Sequence, residues 1–233
     1  HYPLRRQRQM CIRDSFHNDN SITLFRDIPG IILACPSNGL DAALMLRTCV
    51  REAYANNRVV IFIEPIALYK TKDLFEEGDN YWASAYPKDT ELEIPVGEFN
   101  IIENKEKKHD LCIVTYANGF YMSNQARRVL EKEHGIKVKI IDLRWLVPLN
   151  EEGLCLELEK SKNVLIVDEC RKSGSVSEAI ITAMVERCTN MPKVRRLCGE
   201  DSFIPLGDAA NLVLPQTEGI VKEALILMGR DHE

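Results

Sequence analysis

Residues Pro29-Gly-Ile-Ile-Leu-Ala-Cys-Pro-Ser37 and Val59-Val-Ile-Phe-Ile-Glu-Pro-Ile-Ala-Leu-Tyr69 flank an apolar helical stretch, and together they decide the fold. Each carries a short run with no polar residue, so neither run can present a wet face. Two such strands joined by one helix make a βαβ unit, which implies a parallel sheet covered on both faces. The helix is predicted to begin after Ser37 or Asn38, either of which can cap it. Ala42, Ala43, Leu44, Met45, Leu46, Cys49 and Val50 leave it apolar on nearly every side, so it is expected between layers or against another subunit. The second strand stops abruptly at Glu64-Pro65. That places a carboxylate at the edge where open α/β sheets bind ligands.

The pattern changes over residues 70–109. Periodicity disappears, charges crowd in, and Tyr81, Trp82, Tyr86, Pro87 and Pro95 appear among them. This reads as a long linker packing on its aromatics, with a short strand near Val96 to Ile102. A second β-then-α series follows. Strands are predicted at Leu111–Thr115, Val138–Ile141, Val164–Val167 and Val194–Leu197. Helices are predicted at Met122–Lys132 (stopped by Gly135), Glu151–Lys160 (capped by Asn150), Val176–Arg187 and Ile220–Met228. Such alternation predicts a doubly wound α/β domain over residues 110–233.

Four loops leave the carboxyl ends of these strands and should converge on one sheet edge: Tyr116-Ala-Asn-Gly119, Asp142-Leu-Arg144, residues 168–174 and Gly199-Glu-Asp-Ser202. A ligand site there is one expectation. The favoured one is a structural network in which Arg144 and Arg171 pair with Asp142, Asp168 or Glu169. No dinucleotide fingerprint, Walker loop or nucleophile elbow occurs. His17 stands in a polar stretch, Phe16-His-Asn-Asp-Asn-Ser21, where an isolated histidine is ordinarily a surface residue. His109 and His134 flank solvent-facing charges and have weaker claims.

Residues 1–15 have no apolar periodicity and begin with His rather than Met. They look like the in-frame translation of a transposase adapter used in sequencing libraries, and are expected to be non-native, with the coding sequence resuming near Phe16. An Arg-rich organelle targeting segment and a basic nucleic-acid-binding arm are the rivals. Setting the segment aside removes Arg5, Arg6, Arg8, Arg13 and Asp14 and takes the formal net charge from −5 to −8. So acidic a domain is a poor ligand for nucleic acid or a membrane surface. The chain is 45% hydrophobic over 233 residues, enough for more than one folding unit, and has no membrane-length run. Its eight cysteines include no Cys-x-x-Cys pair and no clustered histidine, so they are expected to be reduced thiols in a cytosolic or matrix-like compartment.

Taken together, Phe16 to about Met228 resembles the beta subunit, or beta region of a fused chain, of the decarboxylating component of 2-oxo acid dehydrogenase complexes, in the transketolase superfamily. The resemblance rests on His17-Asn-Asp-Asn-Ser21 before Ile28-Pro-Gly30, on Ile61-Phe-Ile-Glu-Pro-Ile-Ala-Leu-Tyr69, on Ile141-Asp-Leu-Arg-Trp-Leu-Val-Pro-Leu149, on Val167-Asp-Glu169, and on Gly199-Glu-Asp-Ser-Phe-Ile-Pro-Leu-Gly207. It implies that residues 16–69 are the C-terminal remnant of a pyrimidine-binding domain. Residues 70–109 would then be a linker, and 110–233 a transketolase C-terminal-type domain. It implies thiamine diphosphate with magnesium as cofactor, held on residues preceding this chain and on a partner domain, and it leaves open a potassium site near Cys49 and Asn57. It maps the family's substrate-facing, acyl-transfer histidine onto His17, although Asn18-Asp19-Asn20 stands where many members have Ser-Gln-Ser. The implied partners are an alpha subunit or domain, a second beta subunit and a lipoylated dihydrolipoyl acyltransferase core, with no nucleic acid and no membrane. The location would be the cytoplasm of a bacterium or the mitochondrial matrix of a eukaryote. Two alternatives remain: a superfamily enzyme that transfers ketol units or makes a deoxysugar phosphate, and a non-catalytic α/β assembly domain.

Overall fold

The computed structural model describes residues 22–104, 108–205 and 207–230. His17 and the segment 1–15 lie outside them. The βαβ unit forms as its sequence demands: β1 (Ile32–Ala34) and β2 (Val60–Phe62) are parallel, joined by α2 (Gly39–Ala55). Asn38 is the cap, its side chain accepting from Asp41 N at 2.9 Å. Asn38→Ala is expected to cost about 1 kcal/mol of stability, read as a lowered urea midpoint, while Asn38→Ser retains most of it. One face of α2 buries Met45, Thr48 and Cys49, with Thr48 Oγ1 donating to the Ile94 carbonyl, and beside it Arg47 donates to the carbonyls of Pro87 and Asp89. Leu46, Val50 and Tyr54 line a third, exposed face. A short preceding helix, α1 (Ile22–Arg26), docks through Thr23 and Arg26 on the carbonyls of Gly174 and Ser175.

The segment 70–99 is ordered by its polar groups as much as by its aromatics. Asp79 accepts from the backbone N–H of Leu74, Phe75, Glu76 and Tyr81, and these bonds hold its carboxyl well below the usual range. Trp82 packs on Phe120 and Tyr121 at centroid distances of 5.6 and 5.0 Å, whereas Tyr81 and Tyr86 stay exposed.

A five-stranded sheet follows in the order β3-β5-β4-β7-β8. Its strands are β3 (Asn100–Ile102), β4 (Leu111–Thr115), β5 (Val138–Asp142), β7 (Asn163–Arg171) and β8 (Lys193–Gly199). All pairings are parallel except the edge pairing of β3 with β5. Alternate residues feed opposite faces. Leu111, Ile113, Val138, Ile140, Leu165 and Val167 pack under α3 (Ala117–Glu133) and α6 (Thr217–Met228). Cys112, Val114, Ile141, Val164 and Ile166 pack under α4 (Glu151–Leu158) and α5 (Val176–Arg187). Helices on both faces of a mainly parallel sheet make this domain doubly wound.

Three features depart from the expectations. Helix α3 begins at Ala117 rather than Met122, absorbing the stretch read as a loop. Lys139 is fully buried in β5 and is satisfied by Glu157 at 2.7 Å. Finally, Trp145–Val147 forms an unforeseen strand, β6, which pairs antiparallel with β1 and gives the first sheet the order β2-β1-β6. Trp145 thereby packs with Ile32, Ala34, Met45, Cys49 and Ile94, so the two α/β units share a core.

Candidate functional site

The expected convergence at the carboxyl edge is present, but its pairing differs. The Arg144 guanidinium does not pair with Asp142, Asp168 or Glu169. Its guanidinium forms a fork with Asp41 of α2, Nε to Oδ2 at 2.9 Å and Nη2 to Oδ1 at 2.8 Å. Arg144 itself is left-handed, with φ at 58°, and its carbonyl accepts from Cys35 N at 2.7 Å. Ser37, at the end of β1, completes the contact. Its Oγ donates to Asp142 Oδ1 and accepts from the backbone N–H of Ala117, both at 2.8 Å. Ala117 is also left-handed, with φ at 49°. The β1–α2 turn is thus clasped to the ends of β4 and β5 by one fork, one hydroxyl bridge and one backbone bond.

Serine has one proton to give, and Ser37 gives it to Oδ1. Asp142 Oδ2 is buried with no hydrogen-bonding partner among the described residues. Burial accordingly raises the Asp142 carboxyl from its ordinary 3.8 to about 7, opposed by the Ser37 bond and reinforced by Asp41. A carboxyl left half-unpaired in an apolar site is cheaper protonated than charged.

A second node sits beside the clasp, at the end of β7. Asp168 accepts from Tyr116 Oη at 2.6 Å, Cys170 N at 2.9 Å and Ser177 N at 2.7 Å. The β7–β8 register shifts between Asp168 and Arg171, and this bulge carries Glu169. Glu169 receives Asn118 Nδ2 at 2.8 Å, and burial pushes its carboxyl up to about 7. Gly199 faces the bulge, where a Cβ would lie 2.8 Å from the Glu169 carbonyl oxygen. Only glycine fits there without displacing backbone. Arg171 lies over the ring of Phe203 at 5.6 Å.

Beside the clasp opens a cleft of about 340 Å³, reached from the ends of β1 and β2. Phe62, Leu68, Tyr69 and Trp82 supply apolar walls, and Glu64, hydrogen-bonded by Tyr69 Oη, is its carboxylate. Glu64, two residues beyond β2, thus lies on the wall of an open cleft at the strand's carboxyl end. Among the described residues, no lysine or arginine lines the cleft. His109 lies at the opposite end of the sheet, 2.7 Å from Ser161 Oγ, and His134 caps the end of α3. Neither joins the site. Ser37 and Asp41 were not singled out from sequence as inter-unit contacts; an acid inside an otherwise apolar helix start was the available signal for Asp41.

Comparison with known proteins agrees with this architecture. Residues 101–220 match the family described as "Transketolase, C-terminal domain". The chain is 27% identical over 210 residues to the pyruvate dehydrogenase E1 component subunit beta of Staphylococcus aureus, and 26% identical over the same length to that of Staphylococcus epidermidis. The alignment takes in 89% of this chain and 59% of those relatives, so the chain spans little more than half their length. The fold is shared with a split-gene transketolase solved as an inactive β4 tetramer, at a TM-score of 0.63 and 17% identity over 90% of this chain and 61% of that one. With a family match over more than half of its residues, a doubly wound domain and a transketolase-like fold, the chain belongs to the transketolase C-terminal domain family.

Proposed function

We propose that this chain is the beta part of a thiamine-diphosphate-dependent 2-oxo acid dehydrogenase, serving oxidative decarboxylation of a 2-oxo acid such as pyruvate, with acyl transfer to lipoyl groups. The observation that carries the reading is the 27% identity to pyruvate dehydrogenase E1 beta subunits along 89% of the chain, across both α/β units. The proposed partners are an alpha subunit or domain, a second beta subunit and the lipoylated acyltransferase core. The proposed setting is bacterial cytoplasm or mitochondrial matrix.

The described residues do not fit the diphosphate and magnesium part of that cofactor. They contain no group of three or more His, Cys, Asp or Glu side chains placed to hold a metal ion, and the cleft at the sheet edge offers a carboxylate and no cation. Two phosphates need cationic or metal partners. The assignment therefore gives this chain a supporting part: it covers one side of the reacting centre and holds the two units at a fixed relative position through the clasp. Titrating the isolated chain with thiamine diphosphate and magnesium in a calorimeter should give no saturable heat, and tight binding would overturn this division of labour.

Within the same proposal, His17 moves a proton at the acyl-transfer step. In the enzyme reconstituted with an alpha partner and lipoylated acceptor, His17→Ala should leave the circular dichroism spectrum unchanged and slow lipoyl acylation at least about a hundredfold, the lower end of general acid–base contributions. Unchanged acylation by that variant would remove His17 from the mechanism. Failure of any reconstitution with 2-oxo acid substrates to give lipoyl acylation would favour the ketol-transferring or assembly readings.

A further inference from the structure

Away from the clasp, α4 and the end of α5 meet in register. Glu151, Cys155 and Glu159 recur every four residues on one face of α4 and its C-cap, and Arg187, Cys188 and Thr189 are consecutive at the end of α5. Arg187 Nε lies 2.8 Å from Glu151 Oε2. Glu159 Oε1 accepts from the backbone N–H of Thr189 and, at 3.1 Å, from that of Asn190. Between these two anchors Cys155 and Cys188 face each other across one apolar cluster, and Cys155 Sγ reaches the Ala183 carbonyl, in the last turns of α5, at 3.5 Å. Both belong to the apolar cluster beneath the sheet, Cys155 buried and Cys188 half-exposed.

We propose that Cys155 and Cys188 are a redox-active pair that closes to a disulfide on exposure to a hydroperoxide and reopens with a dithiol reductant. The Glu151–Arg187 and Glu159–Thr189 anchors hold the two cysteines side by side at the end of α5, where the chain leaves the helix at Cys188 and a rotation of that residue can bring the sulfurs together without unfolding either helix. Order follows from access. Cys188 is reachable from solvent, whereas burial pushes the Cys155 thiol up to about 12. Cys188 sulfur therefore attacks the peroxide, the O–O bond breaks, and sulfenic acid and water form. Cys155 sulfur then attacks Cys188 sulfur, the S–O bond breaks, and the departing hydroxide takes the Cys155 proton as water. In sum, two thiols lose two electrons and two protons, and hydrogen peroxide becomes two waters. The cross-link brackets all of β7, the strand that carries Asp168 and Glu169, so oxidation would tie the α4–α5 layer to itself around the strand that shapes the site.

The full-length chain treated with hydrogen peroxide and digested without reductant should yield one dominant cross-linked peptide pair carrying Cys155 and Cys188, lost after dithiothreitol. In Cys155→Ser, Cys188 should persist as sulfenic acid, captured by a cyclic 1,3-diketone. Should that variant fail to fold, the wild-type peptide map decides alone. Accumulation of Cys188 sulfinic acid in wild type without a cross-link would overturn the proposal. So would prior linkage of the buried Cys35 and Cys170.

Discussion

Replacing Arg144 by alanine should lower the stability of the chain by about 3–5 kcal/mol, the cost of stranding one member of a buried ion pair. Asp41 has a side chain only 4% exposed and Arg144 one only 11% exposed, so water cannot take over the lost contact. With the guanidinium gone, the Asp41 side chain keeps a single side-chain donor among the described residues, Asn38 Nδ2 at 3.0 Å, besides its place in the first turn of α2. The left-handed backbone at position 144 penalises alanine and arginine alike, which makes the change a measure of the fork rather than of strain. Arg144→Lys keeps the charge without the fork and should fall between the two. The double variant Arg144→Ala/Asp41→Ala should recover part of the loss, because it removes the stranded charge. Urea unfolding provides the readout, as a shifted midpoint at unchanged slope. A loss below about 1 kcal/mol would place this pair with surface salt bridges and dissolve the clasp as a structural element.

That fork also marks where sequence reasoning stops. The strands and helices of both units were legible because each is apolar on a period of its own: continuous runs at Ile31–Ala34 and Leu111–Thr115, a capped helix after Asn38, another after Asn150, and a left-handed Gly135 just beyond α3. The convergence of acids and arginines at the carboxyl edge followed from parallel topology alone. Partner choice did not follow, because Arg144 reaches back 103 positions to Asp41, past nearer carboxylates. β6 escaped for the same reason. Three apolar residues after Arg144 have no period to read, and only pairing with the distant β1 makes them a strand. Lys139 sits on the sheet face covered by α4 and α5, where an apolar residue would be expected, and it is tolerated there because Glu157 arrives from α4. Of the site, therefore, the edge and the residue types were visible, while the pairings that make it one unit are long-range contacts.

The hydroxyl bridge next to the fork leads to the second large effect, which depends on pH. Asp142 in the folded chain binds its proton up to about pH 7, against 3.8 for an ordinary aspartate. A raised carboxyl works against the folded state as the solution becomes alkaline. Its favourable contribution is complete below about pH 4, declines as pH climbs towards 7, and has vanished above that. The span between the two values corresponds to about 4 kcal/mol. Asp142→Asn keeps an oxygen to accept from Ser37 and cannot ionise, so its stability relative to wild type should rise by up to about 4 kcal/mol between pH 4 and pH 8. The comparison must be made as a difference between the two proteins at each pH. Glu169, also shifted to about 7, and Asp79, shifted down, titrate in both chains and largely cancel. Ser37→Ala, which removes the bond that favours the charged form, should push the Asp142 titration still higher, so that in this variant the loss of stability continues above pH 7. A stability difference between wild type and Asp142→Asn that stays flat from pH 4 to 8 would mean that Asp142 is ionised throughout and that its unpartnered oxygen finds a donor in solution. On the geometry of the clasp, one hydroxyl proton is shared out to one oxygen, and the other oxygen keeps the proton that burial denies to water.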